Sequence, residues 1–471
     1  MAETALPDPA ALAQATILRR DLGFDASPET VTRASIDRDS YPDLTFGVPM
    51  TQAEATEVLR RNQLVLDAVP AIERAAKDEG WAGAWIDHVA GGVEVFQFPG
   101  DAGTRRGMVE EFLPIGAPVR FQSVALSLAD LEARKSAVNA AAPGLEKQGL
   151  QITGVTLQVR NNRIIVSVSP RDAAGEAAAA ASRKLSAALG FEVTVREEAA
   201  ASADHNCPAS GCMPIKGGIG VRDDNGNFPC TVGYLAKRYD TSPDSLVAVT
   251  AGHCVKLGAG GYWQHGTNPD NYINVGGPGV KNGDRLETFH DYWNADVGVI
   301  TTRQLSDANR RVRNLLLSYP TSEQEADVTG YVAHASQQEN TVVCRTGLTT
   351  EVICGIIVDI DDTRLSTVRR DDNSIIESWH IDHTVVYRAD ALGGDSGGPV
   401  YVTTLPYPYS RYKATLYGTH VHSYESATWH ADKNGWYSPI DRGIDNLEFH
   451  YPGVSLAPCV TATCGLPDPI D

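Results

Sequence analysis

Two stretches in the N-terminal half of the chain share the same alternation of apolar and polar residues. In residues 83–126, an extended segment, the turn residues Gly91-Gly92 and an alternating stretch predict a β-hairpin, followed by a short helix and a strand. In residues 154–196, two alternating stretches flank Asn161-Asn162, and a helix and a strand come after them. The pattern therefore predicts two copies of a β-hairpin–helix–strand unit.

The spacing of apolar residues predicts further helices around these units. Residues 51–66 have the pattern of an exposed helix, and Pro70 is expected to interrupt the pattern beyond it. A helix from Ser127 is expected to join the two copies, with Leu131 and Val138 on its buried face. The N-terminal part is therefore predicted to be a small α+β domain.

The pattern changes near residue 200. Beyond Cys207 the apolar runs are short, turn signals are frequent and Gly, Pro, Thr and Tyr are common, which is typical of an all-β barrel or sandwich. We therefore expect a mainly β chain whose larger β part comes after a smaller α+β domain. Its four predicted parts are an N-terminal extension (1–50), an α+β domain (51–200), a β domain (207–456) and a C-terminal tail (457–471).

Composition restricts the class of partner. The 471 residues include 40 Lys plus Arg and 59 Asp plus Glu, giving a formal charge of −19. An acidic surface disfavours binding to phosphate backbones and anionic membranes, so we expect no nucleic-acid and no membrane partner. With 42% hydrophobic and 21% charged residues, the composition is that of a globular protein.

The eight cysteines are all in the second part of the chain. Taken as neighbours, they form four short loops, which are Cys207–Cys212, Cys230–Cys254, Cys344–Cys354 and Cys459–Cys464. This arrangement indicates disulfides. Free thiols or metal ligands are the alternative, and His205 beside Cys207 and Cys212 is compatible with zinc, although no second ligand pair has zinc-site spacing.

Disulfides also bear on localisation, because they persist in oxidising compartments. The N-terminus has no secretory signal, since acidic Glu3 is close to Met1 and no apolar segment intervenes before Arg19. We therefore expect a secreted, extracellular protein whose signal peptide is not part of this chain.

Three short segments contain the residue types of nucleophilic catalysis. They are Thr250-Ala-Gly-His253-Cys254, Asn294-Ala-Asp296-Val and Gly393-Gly-Asp395-Ser396-Gly-Gly. A serine hydroxyl is a weak nucleophile and needs a base, so His253 would take the proton of Ser396 and Asp296 would orient the imidazole. Each segment alone is commonplace, but the three in this order predict a catalytic triad.

The glycines around Ser396 predict an oxyanion hole. They allow the backbone to turn so that the N–H groups of Gly394 and Ser396 converge on one point. Each donor would stabilise the transition state by ~3 kcal/mol.

Over roughly residues 207–456 the sequence resembles the chymotrypsin-like (trypsin-type) serine endopeptidases. The segment Val343-Cys-Arg345-Thr-Gly-Leu-Thr-Thr350, together with Cys354-Gly355, is similar to the bacterial branch of streptogrisins and alpha-lytic protease. The resemblance implies two six-stranded β-barrels with the triad between them, a protein or peptide substrate, and the disulfides Cys230–Cys254 and Cys344–Cys354. This chemistry needs no metal and no other cofactor.

The same resemblance implies an internal ion pair. In the bacterial branch an arginine stands where animal enzymes use a new N-terminal amine, and Arg345 occupies that position. We therefore predict that Arg345 pairs with Asp395, the residue before the nucleophile. The alternative is a solvated surface arginine.

The specificity pocket is predicted in two opposing ways. Asp390 lies where trypsins have the aspartate that receives basic side chains, whereas His420 matches a histidine with which glutamyl endopeptidases receive a Glu carboxylate. His422 and Ser423 lie further along the same strand, where His420 and His422 are expected to share a face. Leu392 replaces a usual pocket cysteine, and a metal site at the two histidines is the less favoured alternative. The cleavage preference stays open.

The N-terminal unit resembles the pro-regions of the same bacterial proteases, which assist folding and inhibit. Such an assistant has a physical purpose, because β-barrels rich in non-local contacts fold slowly. The link at residues 196–206 is then a plausible processing site, and the pro-region is itself a partner of the protease. A permanent accessory domain is the alternative.

Two other functions compete with the protease. A non-catalytic binding protein on a protease fold is disfavoured because the triad and both oxyanion residues are present. An esterase is disfavoured because its elbow is Gly-x-Ser-x-Gly and its order is Ser, Asp, His.

Overall fold

The structure is a computed structural model. The residues that it describes are 9–37, 39–146, 152–168, 176–197, 201–202, 215–223, 230–239, 245–257, 263–265, 285–286, 295–301, 310–319, 322–369, 375–389, 391–404, 412–423, 434–451 and 453–460.

Within these residues the helices lie mostly in the N-terminal part. They are α1 (Pro9–Asp21), α2 (Pro28–Ile36), α3 (Gln52–Ala76), α4 (Arg106–Glu110), α5 (Leu128–Glu146), α6 (Glu176–Leu189), α7 (Gly252–Leu257) and α8 (Ile440–His450), with short 3-10 turns at Lys77–Glu79, Ala102–Arg105 and His334–Ser336. None of these helices is both long and apolar enough to cross a membrane.

The strands divide at residue 200. Those of the N-terminal part are β1 (Ala84–Asp87), β2 (Val93–Pro99), β3 (Val119–Val124), β4 (Ile152–Gln158), β5 (Arg163–Val168) and β6 (Thr194–Glu197). The later ones are β7 (Ala201–Ser202), β8 (Ile215–Gly217), β9 (Gly220–Asp223), β10 (Cys230–Thr231), β11 (Tyr234–Arg238), β12 (Ser245–Thr250), β13 (Trp263–His265), β14 (Arg285–Leu286), β15 (Gly298–Thr301), β16 (Arg310–Tyr319), β17 (Ser322–Tyr331), β18 (Val342–Gly347), β19 (Glu351–Arg369), β20 (Ile375–Tyr387), β21 (Pro399–Thr404), β22 (Tyr412–Ser423), β23 (Gly435–Pro439) and β24 (Leu456–Pro458).

The N-terminal strands pair in two arrangements of three strands each. Strands β1 and β2 are an antiparallel hairpin, and β3 returns parallel to β2 after the short helix α4. Strands β4 and β5 are likewise an antiparallel hairpin, and β6 returns parallel to β5 after α6. Helix α5 connects the two arrangements, and its Leu131 and Val138 are fully buried against β4 and β5.

Helix α3 differs from the sequence prediction. The helix is not exposed over residues 51–66, and Pro70 does not end it, because it continues to Ala76. Val58 and Leu59 pack in one core cluster, and Val69 lies in a second. A proline costs a helix one N–H donor and some backbone strain, and burial of apolar surface on both sides of Pro70 offsets that cost.

Residues before 51 also belong to the core. Leu18 and Leu22 of α1 lie in one cluster with Tyr234 of β11 and Val247 of β12, which belong to the part of the chain beyond residue 200. The N-terminal helices are therefore packed on the β strands of the C-terminal part.

The C-terminal part is mainly β and contains several sheets. A five-stranded sheet has the order β14-β15-β12-β11-β24, and β9, β10 and β13 form a smaller one. A thirteen-stranded sheet includes β18, β19, β21 and β22 and also takes in β4, which pairs antiparallel with β19. The N-terminal and C-terminal parts thus share one sheet.

Candidate active site

His253 and Asp296 meet because two neighbouring strands carry them. Helix α7 begins at Gly252 directly after β12, and β12 pairs with β15, which Asp296 precedes. The backbone N–H of His253 donates to Asp296 Oδ1 at 2.8 Å, and His253 Nδ1 lies 2.5 Å from Asp296 Oδ2. A carboxylate on Nδ1 fixes the ring orientation and leaves Nε2 as the nitrogen for proton transfer.

Two further side chains hold the segment of Asp296 in place. The backbone N–H of Asp296 donates to Ser438 Oγ at 3.1 Å, and the carbonyl of the preceding Ala295 accepts from Asn446 Nδ2 at 3.2 Å. Asp296 is fully buried, and His253 is 2% exposed. Ser438 and Asn446 gave no signal in the sequence because they reach the site only through the packing of β23 and α8.

The turn that carries Ser396 requires glycine at position 397. Gly397 has a φ of 88°, and a Cβ there would lie 2.0 Å from Thr250 Oγ1 and 2.2 Å from the Thr231 carbonyl oxygen. The turn therefore sits directly on the end of β12 that leads into α7, the helix that contains His253. Cys254 Sγ lies 3.7 Å from His253 Nε2 and 3.9 Å from the Ser396 carbonyl oxygen.

The serine hydroxyl is turned away from the histidine. Ser396 Oγ donates to the Val421 carbonyl oxygen at 3.4 Å, and within the described residues it makes no hydrogen bond to His253. The side chain is 7% exposed. His253 and Asp296 are thus in direct contact, whereas the Ser396 hydroxyl contacts β22.

Two backbone N–H groups beside Ser396 are available for an anion. The Asp395 carbonyl accepts from the Gly398 N–H at 2.9 Å, so the Ser396 N–H on the same planar peptide points the other way. The Gly393 carbonyl accepts from the Thr349 hydroxyl. The Gly394 N–H belongs to the same planar peptide and therefore points away from Thr349. Within the part of the chain that the structure describes, neither N–H donates a hydrogen bond, as an oxyanion site requires.

Arg345 and Asp395 form a buried ion pair. Arg345 Nη2 lies 3.2 Å from Asp395 Oδ2, and both side chains are inaccessible to solvent. The carboxylate also accepts from the backbone N–H groups of Thr349, Thr350 and Leu392 at 2.9–3.1 Å. These contacts hold the carboxylate of Asp395, the residue before Ser396, in place.

Two disulfides flank the site. Cys230–Cys254 ties β10 to α7 next to His253, and Cys344–Cys354 links β18 to β19 next to Arg345. Cys459 is also disulfide-bonded. The loops predicted for Cys207–Cys212 and Cys459–Cys464 lie wholly or partly outside the described residues.

The predicted pocket residues separate into two groups. His420 Nδ1 lies 2.9 Å from the Tyr387 hydroxyl, and Ser423 Oγ donates to the Ala391 carbonyl at 2.9 Å. His422 instead stacks on His253, with ring centroids 5.4 Å apart, and its Nε2 is 3.9 Å from Asp296 Oδ2. Asp390 lies outside the described residues.

A bulge explains this separation. The register between β22 and β23 shifts between His420 and His422, so the strict alternation that the sequence predicted for them does not hold here. His420 is 1% exposed, and burial, together with the nearby Arg345, holds its pKa well below the usual range. His420 is therefore neutral at physiological pH.

Tyr387 is a site residue that the sequence did not indicate. Its hydroxyl contacts His420 at 2.9 Å and accepts from Arg345 Nη1 at 3.4 Å. It thereby links the predicted pocket to the ion pair behind Ser396. No motif surrounds Tyr387, since only the pairing of β20 with β19 brings it there.

Comparison with known proteins gives a limited likeness. No protein-family model and no curated protein matches the chain. Among solved structures, a glutamic acid specific serine protease that uses a histidine triad in substrate binding is 19% identical at a TM-score of 0.35, covering 52% of this chain and 100% of its own. Thermobifida fusca protease A is 20% identical at 0.33, covering 52% and 99%, and Nocardiopsis protease is 18% identical at 0.31, covering 51% and 98%. Identities and TM-scores this low carry no argument about the activity of this chain.

Proposed function

We propose that the chain is a chymotrypsin-like serine endopeptidase with Ser396 as nucleophile, His253 as acid–base and Asp296 as orienting group. The observation that carries the proposal is the double contact of Asp296 with the N–H and Nδ1 of His253, at 2.8 and 2.5 Å. A histidine held in this way beside a glycine-bounded serine is the arrangement that acyl transfer needs.

In the proposed reaction Ser396 Oγ attacks the carbonyl carbon of the scissile bond and passes its proton to His253 Nε2. The N–H groups of Gly394 and Ser396 hold the resulting oxyanion. The C–N bond then breaks, and His253 returns the proton to the leaving amine. A water molecule repeats the sequence on the acyl-enzyme and releases the acid.

The reaction requires the serine hydroxyl to rotate from the Val421 carbonyl towards His253. The present hydrogen bond is long, at 3.4 Å, so a weak contact is exchanged for a stronger one. The same contact favours a second candidate function, a non-catalytic binding protein in which the hydroxyl stays on β22. The two candidates differ in whether Ser396 reacts.

We further propose that the N-terminal region is the pro-region of this enzyme and that the β part forms two barrels. Strand β4 of the N-terminal region pairs with β19 between Leu157 and Ile360. Strand β7 pairs antiparallel with β22 at Ser202 and Ser423. Ser396 is 7% exposed in the uncleaved chain, as an inhibited site requires. The disulfides support secretion.

We expect the processing bond within residues 196–206, the link that the sequence indicated as a processing site. Ser202, the last described residue of that link, pairs with Ser423 of β22. Val421, two residues earlier on the same strand, is the residue whose carbonyl contacts Ser396 Oγ.

Activity and processing are tested together with the purified full-length chain and Ser396→Ala. Cleavage of fluorescent casein is expected for the wild type and absent for the variant. Intact mass is expected to show a wild-type fragment that begins within residues 197–206, and no such fragment for Ser396→Ala. Casein cleavage by an unprocessed chain would support the accessory-domain alternative. A folded wild type that cleaves neither casein nor itself would contradict the protease.

A further inference from the structure

A cluster of two histidines and two aspartates lies outside the proposed catalytic site. His334 is in the 3-10 turn after β17, Asp361 is on β19, and Asp382 and His383 are on β20. One ligand atom each of His334, Asp361 and His383 lies within 4.8 Å of the others. Imidazole and carboxylate groups at this separation are the ligand types of a zinc site.

His334 points an unused nitrogen into this cluster. The residue is 6% exposed, and its Nε2 makes no hydrogen bond within the described residues. That atom lies 3.9 Å from Asp361 Oδ1. The carboxylate of Asp441 accepts the backbone N–H of His334 at 3.0 Å, which holds the turn in place. A buried imidazole nitrogen without a partner is costly unless it has a ligand to bind.

The cation now in the cluster is a lysine from the other part of the chain. Lys135 of α5 is 2% exposed, and its Nζ lies 2.9 Å from Asp361 Oδ1 and 2.8 Å from Asp382 Oδ1. The ammonium group thus lies between the two carboxylates.

The remaining neighbours also hold the aspartates in place. Thr363 donates to Asp382 Oδ1, and Asn139 of α5 donates to the Thr363 hydroxyl at 3.2 Å. His383 Nδ1 contacts Asp361 Oδ1. Glu132 and Arg442 add one charge of each sign nearby. The local balance is acidic, which favours a divalent cation over a single ammonium.

We propose that His334, Asp361, Asp382 and His383 form a site for a divalent cation of the Zn²⁺ type, and that Lys135 occupies it as a tethered cation. All four ligands belong to the C-terminal part, whereas Lys135 belongs to the N-terminal region. The metal and Lys135 therefore exclude one another, and the site becomes available when α5 leaves. None of these residues takes part in the proposed hydrolysis, so the site stands whether or not the chain is a protease.

The test is a titration of the full-length chain with Co²⁺ and Zn²⁺, read by Co²⁺ ligand-field absorption and by calorimetry. Lys135→Met is expected to bind one ion per chain at least about tenfold more tightly than the wild type, because it removes the competing charge. Exposed Lys77→Met is the matched control and is expected to behave as the wild type. The added binding is expected to disappear in Lys135→Met combined with His334→Gln and His383→Gln.

Lys135→Met leaves the Asp361 and Asp382 carboxylates without their cation and could fail to fold. Lys135→Met with Asp382→Asn removes one charge of each sign and keeps three ligands, so it is the second variant. Circular dichroism reports whether each variant is folded. A folded variant that binds Co²⁺ no more tightly than the wild type would overturn the proposal, as would binding that survives loss of both histidines.

Discussion

Arg345 and Asp395 form an ion pair with no exposure to solvent, 3.2 Å from Nη2 to Oδ2, one residue before Ser396. The sequence alone is also compatible with a surface arginine, for which a substitution would have little effect on folding. Full burial changes that expectation, because removal of one partner leaves an uncompensated buried charge.

Arg345→Met is therefore expected to lower the free energy of unfolding by about 3–5 kcal/mol and to reduce kcat. The double variant Arg345→Met with Asp395→Asn is expected to recover part of the stability, since it removes both charges. Urea unfolding of the two variants and the wild type measures the effect. Equal stability of the single variant and the wild type would show that the pair has no structural role.

Asp296→Asn is expected to reduce kcat by about 10⁴-fold with little change in KM. An amide group in place of the carboxylate can donate to Nδ1, which favours the wrong tautomer of His253. Steady-state kinetics on a peptide substrate measure the effect, with circular dichroism as the check on folding. A folded variant with more than a tenth of the wild-type kcat would remove Asp296 from the triad.

Gly397→Ala is expected to destabilise the protein by about 2–5 kcal/mol through positive φ and overlap with neighbouring atoms. Its Cβ would lie 2.0 Å from Thr250 Oγ1, whereas a Cβ at Gly107 in α4 meets nothing within 4 Å. Gly107→Ala is therefore the control and is expected to be neutral or slightly stabilising. Thermal unfolding of both variants decides the point, and a Gly397→Ala melting temperature equal to that of the control would contradict the turn geometry.

Glu94 on β2 gives a prediction for pH dependence. The residue is 1% exposed, and burial raises its pKa to about 8, while the nearby Gln338 acts in the opposite sense. The folded state therefore keeps this proton between about pH 4.5 and pH 8 while the unfolded state loses it, so stability falls as pH rises through that range.

Glu94→Gln is expected to remove this loss of stability. Between pH 5 and pH 8, the free energy of unfolding of the variant is expected to fall by up to about 4 kcal/mol less than that of the wild type. Exposed Glu111→Gln serves as the control. Urea unfolding at the two pH values provides the comparison. An identical pH dependence in the wild type and Glu94→Gln would show that Glu94 is ionised in the folded state.

The sequence predicted His253, Asp296 and Ser396 because each lies in a short segment whose residue types are typical of nucleophilic catalysis. Arg345 was predicted in the same way, from the segment around Cys344. Tyr387 and Ser438 were not, because they meet the site only through the pairing of distant strands. Asp390, which a local match also indicated, lies outside the described residues.

The burial of α3 and the position of His422 escaped prediction for related reasons. The apolar residues of α3 face two different cores, so its pattern does not show a single buried stripe. A bulge in β22 shifts the pairing of His422 with β23, and no residue type in the sequence indicates that bulge. The sequence around Lys135 did not indicate its ion pairs, since the carboxylate partners of Lys135 come from another part of the chain.

The most direct test of the central claim is to label the purified protein with a fluorophosphonate and to map the adduct by peptide mass. The proposed mechanism predicts an adduct on the peptide that contains Ser396, on whichever species is active. The adduct is expected to be lost in Ser396→Ala and strongly reduced in His253→Ala. A folded, processed protein that stays unlabelled, or that carries the adduct on another residue, would contradict the assignment of Ser396 as the nucleophile.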